Sequence, residues 1–179
     1  MRQIETIKKG FKVVTTLLVA VIALLAVLLV GVRLIGLEPY TVLSGSMEPT
    51  YHTGSLIYVK KVAPQEVQVG QAITFVLNED LVVATHRVVK IDEENEWFYT
   101  KGDANESIDG TPVHFKNLIG VPVFSIPYLG YVASFIQKPP GIYLAIAFGA
   151  LLLLLLFFPE LVRAFKKEKT KSEISSNPQ

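Results

Sequence analysis

The sequence has no cysteine, only three histidines and one tryptophan, and almost no excess charge of either sign, with 17 Lys and Arg against 16 Asp and Glu. The missing cysteine excludes disulfides, thiolate metal sites and a cysteine nucleophile together. Three histidines supply a metal site poorly, and the balanced charge gives no global electrostatic case for nucleic acid as a partner. Charge of any kind is scarce. Charged residues make up 18% of the 179 residues and hydrophobic ones 50%, which is too apolar for an ordinary soluble domain of this size and points to membrane segments.

Residues 13–32 carry no charge, and this is roughly the 20-residue length that crosses a hydrocarbon core as a helix. A cleavable signal peptide is the rival reading, because Lys8, Lys9 and Lys12 form a basic flank ahead of the run. The run exceeds the usual ~7–15 residues of such a signal, and no small-x-small site follows in Leu34-Ile35-Gly36-Leu37-Glu38-Pro39, so an uncleaved anchor is expected. A second apolar run, 141–158, lies between Pro139-Pro140 and Pro159. Its stretch 151–156 is too uniformly apolar for a helix with a wet face, which predicts a second span. Arg2, Lys8, Lys9 and Lys12 precede the first run, and Arg163, Lys166, Lys167, Lys169 and Lys171 follow the second. Basic tails stay in the cytoplasm and two spans put both tails on one side, so the segment between them is expected outside. The expected organisation is a basic cytoplasmic tail (1–12), a transmembrane helix (13–36), an extracytoplasmic domain (37–138), a second transmembrane helix (139–159) and a second basic tail (160–179).

The middle segment reads as strands. Short β-branched and aromatic runs at 55–59, 72–76, 81–91, 97–99 and 118–124 are separated by Gly, Pro, Asn and Asp. Asn78-Glu79-Asp80 is expected to make a hairpin turn and Asp92-Glu93-Glu94-Asn95-Glu96 a longer exposed one. No amphipathic helix is predicted between them. The expected fold is mostly β, a small antiparallel domain flanked by two transmembrane helices.

Three places supply groups for acyl transfer, which needs a nucleophile, a base and donors for the oxyanion. In Ser44-Gly45-Ser46-Met47-Glu48-Pro49, Gly45 and Pro49 suit a constrained turn presenting Ser46, although such a sequence is most often only a loop. In Thr85-His86-Arg87, His86 sits within an apolar strand-like run, a rigid setting suited to a general base, and equally to a structural histidine. His52 and His114 lack that setting and read as surface or loop residues. The turn-rich stretch from Lys101 to Gly110 carries Asp103 and Asp109, either of which could orient the histidine.

Taken together, Ser-Gly-Ser-Met-Glu-Pro, then His-Arg, then Gly-Asp-x-Asn with a later Asp, resemble signal peptidase I. The resemblance is to the Ser-His branch of archaea, the endoplasmic reticulum and some Gram-positive bacteria, and it covers residues 40–131. It implies the family's β fold and an endopeptidase cleaving N-terminal signal peptides from exported preproteins. Carried over position by position, Ser46 is the nucleophile, His86 the base and Asp109 the triad acid. Asp103 supports them, and Ser44 helps to form the oxyanion hole. The resemblance implies no metal or organic cofactor. It implies as partners the signal peptides of exported preproteins, membrane lipid and the protein-export machinery, without nucleic acid. The implied location is the cell membrane, or the endoplasmic reticulum membrane in a eukaryote, with the catalytic domain outside the cytoplasm. The second span is a departure, since many relatives have only the first. The rivals are an inert membrane-tethered β domain that binds exported proteins, and a serine peptidase of the same clan that cleaves itself as a regulator.

Overall fold

The computed structural model describes residues 2–77 and 82–157. The expected turn at Asn78-Glu79-Asp80 and the basic tail 160–179 lie outside the described residues. The chain divides into two units, residues 25–135 and residues 1–24 with 136–179.

The first unit is the β domain. A 3-10 turn, Gly31–Ile35, leads into β1 (Leu37–Thr41), followed by β2 (Leu56–Lys60), β3 (Ala72–Val76), β4 (Val83–Asp92), β5 (Trp97–Lys101), β6 (Val113–His114) and β7 (Leu118–Ile126). The strands form one seven-stranded sheet in the order β1-β2-β7-β3-β4-β5-β6, with every pairing antiparallel. Helix α2, Leu129–Gln137, begins in this unit. It was not expected from the sequence.

Two hydrophobic cores underlie the sheet. Ile73 and Phe75 of β3, Val88 of β4, Phe98 of β5 and Phe115 form one, with the Phe98 and Phe115 rings 4.4 Å apart. The other gathers Val32, Leu56, Tyr58, Leu129 and Ala133, with Leu25, Leu28 and Leu29 packed against it. Tyr58 is fully buried, so its hydroxyl needs a partner, which it finds by donating to the carbonyl of Leu28 at 3.0 Å. In β5 burial alternates, with Phe98 and Thr100 both at 0% exposure, the period-2 signature of a strand with one face on the core.

Gly54 marks a close approach between α2 and the loop ahead of β2. Its φ is +83°, and a Cβ there would lie 2.0 Å from the Tyr131 ring, so only glycine fits.

The second unit contains most of α1 (Arg2–Leu29) and α3 (Gly141–Phe157). A transmembrane helix was expected over 13–36; the helix observed there ends at Leu29, and its apolar part is Val13–Leu29. Among the described residues, no single helix is long and apolar enough to cross a membrane; α2 and α3 meet that length and composition only when taken together.

Candidate active site

Ser46 lies in the loop joining β1 to β2, and that loop is pinned at its base. The Val42 N–H donates to the Ser55 carbonyl and the Gly54 N–H to the Val42 carbonyl, each at 2.9 Å. Within it, Glu48 N–H bonds the Gly45 carbonyl at 3.0 Å and Tyr51 N–H the Met47 carbonyl at 2.9 Å, giving the constrained turn that Gly45 and Pro49 suggest. Met47, the residue after Ser46, is buried, with 2% exposure. Burying that side chain holds its neighbour Ser46 in place.

His86 projects from β4, where it pairs with Ile73 of β3, and its ring meets Phe75 edge-on at 6.3 Å. Its Nε2 lies 3.1 Å from the Ser46 hydroxyl and its Nδ1 lies 2.6 Å from Oδ2 of Asp109. A neutral imidazole donating from Nδ1 satisfies both contacts, leaving Nε2 to accept the serine proton.

Asp109 is fixed from two sides. Its N–H donates to the Thr100 carbonyl at 2.9 Å, and its Oδ2 accepts the Thr100 hydroxyl at 2.7 Å. Thr100 faces inward beside Phe98, so its buried hydroxyl is obliged to bond, and Asp109 is what it reaches. Sequence reasoning missed Thr100, although the alternation in Trp97-Phe98-Tyr99-Thr100 already turned it toward the core.

Asp103 goes elsewhere. Its partners are the side chains of Arg87 and Thr50 rather than His86. Arg87 donates from Nε to Oδ1 at 2.6 Å and from Nη2 to Oδ2 at 2.5 Å, and Thr50 donates to Oδ2 at 2.6 Å. A guanidinium fork fits both carboxylate oxygens at once. Hydrogen bonding from Arg87 holds the Asp103 carboxyl below the usual carboxylate range and raises Arg87 in turn. Arg87 also donates from Nη1 to the Gly70 carbonyl at 2.7 Å, so this cluster ties the serine loop, β4 and the turn after β5 to the segment ahead of β3.

That turn touches the serine directly. The Ala104 N–H donates to the Ser46 carbonyl at 2.9 Å, and a Cβ on Gly102 would lie 2.6 Å from the same oxygen. Ser44 completes the group with its hydroxyl 3.3 Å from that of Ser46. His52 is at the surface, 4.0 Å from Glu48. His114 belongs to the short strand β6, against Trp97, rather than to a loop. Among the described residues there is no group of three or more His, Asp or Glu that could hold a metal ion. A hydroxyl, an imidazole and a carboxylate in this chain of contacts can pass a proton from the serine to the ring while the acid holds the ring in place.

The family described as signal peptidase, peptidase S26, matches residues 13–125. Signal peptidase I W of Bacillus subtilis (strain 168) is 42% identical over 107 residues, covering 54% of this chain and 56% of that protein. The signal peptidase complex catalytic subunit SEC11C of Canis lupus familiaris and that of Homo sapiens are each 30% identical over 109 residues, covering 55% of this chain and 57% of theirs. The chain thus spans about half the length of these relatives.

Proposed function

Because the chain belongs to the signal peptidase family, peptidase S26, we propose that it is a membrane-bound serine endopeptidase that removes N-terminal signal peptides from exported preproteins. The observation that carries this reading is the continuous path from Ser46 Oγ to His86 Nε2 at 3.1 Å and from His86 Nδ1 to Asp109 Oδ2 at 2.6 Å.

In the proposed reaction Ser46 Oγ attacks the scissile carbonyl while its proton passes to His86 Nε2. The carbonyl π electrons move to oxygen, and the Ser44 hydroxyl with nearby backbone N–H groups receives that charge. The C–N bond then breaks, and His86 returns the proton to the departing amine of the mature protein. Water attacks the acyl-enzyme, gives its proton to His86 and releases the signal peptide carboxylate. Ser46 recovers its proton from the ring. Asp109 keeps Nδ1 protonated and steadies the imidazolium without taking the proton itself. The substrate strand adds to an edge of the sheet by main-chain hydrogen bonds, leaving shallow pockets to select small side chains.

The membrane part of the proposal rests on exposed apolar surface. Val13, Val14, Leu17 and Leu24 of α1 are each more than half exposed, as are Leu151, Leu153 and Leu154 of α3. With basic residues at 2–12 and 163–171, this supports two membrane segments, cytoplasmic tails and an outer β domain, in the cell membrane or, in a eukaryote, the endoplasmic reticulum. External protease that spares tags on both ends while digesting the domain is the expected result for that topology. The SEC11C relatives are named as subunits of a complex, and contact with export machinery is extended to this chain as part of the same proposal.

The decisive experiment incubates the purified protein in detergent with a labelled preprotein and maps the cut. One cleavage between signal peptide and mature sequence, lost in Ser46→Ala, is expected; binding without cleavage would leave the inert tethered domain as the better reading.

A further inference from the structure

Beyond the hydrolytic site, the 3-10 turn Gly31–Ile35 sets a cation beside two unusually bare apolar side chains. Arg33 is followed by Leu34 at 92% exposure and Ile35 at 75%. β1 starts two residues later and pairs Leu37 with Lys60 of β2, so Lys60 and Lys61 return to the end of the sheet where Arg33 stands. There Arg33, Lys61, Glu38 and Tyr40 line a cleft of about 510 Å³.

The charges in this cleft are not balanced internally. Among the described residues neither Arg33 nor Lys61 takes part in an ion pair. The Glu38 carboxylate accepts the Tyr40 hydroxyl at 2.7 Å instead. Burial, together with that bond, pushes Tyr40 up to about 12, so it remains a neutral donor. Two cations opening into one cleft suit a phosphate, which a guanidinium binds through parallel donors and an ammonium as a point charge. A free anion would leave Leu34 and Ile35 unexplained. A phospholipid accounts for both halves, because its phosphate meets the cations at the depth where its acyl chains meet apolar side chains.

We propose that the cleft between Arg33 and Lys61 binds the phosphate of an anionic phospholipid, with Leu34 and Ile35 entering the acyl region beside it. The site rests on the membrane reading above and deepens it: the end of the anchor selects its lipid. Glu38 tempers the attraction and keeps the lipid exchangeable.

The test reconstitutes the full chain in phosphatidylcholine vesicles containing about a fifth phosphatidylglycerol, extracts it into mild detergent and counts retained lipid by native mass spectrometry. Preferential retention of phosphatidylglycerol is expected, falling about fivefold for Arg33→Gln and again for Lys61→Gln. Arg33→Lys keeps most of the preference, and Glu38→Gln increases it. Equal retention of the two lipids, or an undiminished preference in the double Gln variant, overturns the proposal. So does displacement of the lipid by inorganic phosphate at matched concentration, which marks a free-anion site, or a second copy of the chain occupying the cleft. Insertion resistant to carbonate washing but without lipid preference removes only this inference; a chain washed out by carbonate removes the membrane reading and this inference together.

Discussion

Asp109 and Asp103 divide two neighbours on β4 between them: Asp109 Oδ2 lies 2.6 Å from His86 Nδ1, and Asp103 holds the Arg87 guanidinium through both carboxylate oxygens. Successive strand residues point to opposite faces, so one short turn-rich segment serves two purposes from either side of the same strand. One acid faces the proposed reaction centre and the other fastens the loops that frame it.

Ser46→Ala removes the proposed attacking oxygen and little volume, so folding should survive while processing falls by orders of magnitude. Ser44→Ala should be milder, since the backbone donors remain and one such donor accounts for about 3–4 kcal/mol at most. Rates of preprotein cleavage for both variants, beside their thermal unfolding, decide this; a Ser46→Ala protein that still cuts would remove it as nucleophile.

The two acids should separate by readout and by pH. Asp109→Asn holds the imidazole in the wrong tautomer, a change that cost about 10⁴ in turnover in another Ser-His-Asp enzyme, while thermal stability changes little. Asp103→Asn loses charged hydrogen bonds from Arg87 and should lower stability by about 1–3 kcal/mol. Because the folded Asp103 carboxyl is held low by Arg87, its contribution is present above the ordinary ~3.9 and lost as pH falls through the lower folded value. Unfolding of wild type and Asp103→Asn should therefore differ at neutral pH and converge in strong acid. A constant difference across pH would mean that the ion pair is not the source.

Thr100→Val keeps the buried shape but deletes the donor to Asp109 Oδ2. Loss of a hydrogen bond to a charged group, about 1.5–3 kcal/mol, corresponds to roughly a 10–100-fold fall in kcat if the bond persists in the transition state. KM should hold and Thr100→Ser should recover most of the rate. If Ser fails as badly as Val, packing rather than the hydroxyl is what matters at this position.

Gly102→Ala introduces a Cβ that would lie 2.6 Å from the Ser46 carbonyl and 2.7 Å from Asn105 Nδ2. The turn must shift, carrying the serine away from His86, and a displacement near 1 Å can cost about 10²-fold in rate. Gly110→Ala is the matched control, because nothing lies within 4 Å of its added Cβ. Equal turnover for the two variants would show that the Gly102 contact does not position the serine.

The strands were legible where apolar and β-branched residues run between turn formers: 72–76 matches Ala72–Val76, and 118–124 falls inside Leu118–Ile126. β1 was hidden because Leu37-Glu38-Pro39-Tyr40-Thr41 contains a proline and a charge, and only its edge position in the sheet tolerates Pro39. β6 has two residues, Val113 and His114, too few to show a period. Ser46, His86 and Asp109 could be named from motif order, and the structure brings all three into one chain of contacts. Thr50, Arg87 and Thr100 were not assigned, because their roles depend on which segments cross in space. Arg87 reaches Asp103 across 16 positions and Thr50 reaches it across 53, a relation no local pattern carries.

The buried hydrogen bond from Tyr58 to Leu28 has a consequence for where a cut can fall. Ten residues of free chain from Leu37 to Ser46 would let the serine wander by roughly 17 Å. Instead the last turn of α1 shares a core with β2, and β1 is laced to the same strand through five consecutive residue pairs from Leu37 to Thr41. The distance from the helix end to the hydroxyl is therefore a rigid ruler. Under the proposed function, a substrate is gauged by how many residues lie between its own apolar helix and its scissile bond, and lengthening that spacer should abolish cleavage rather than move it.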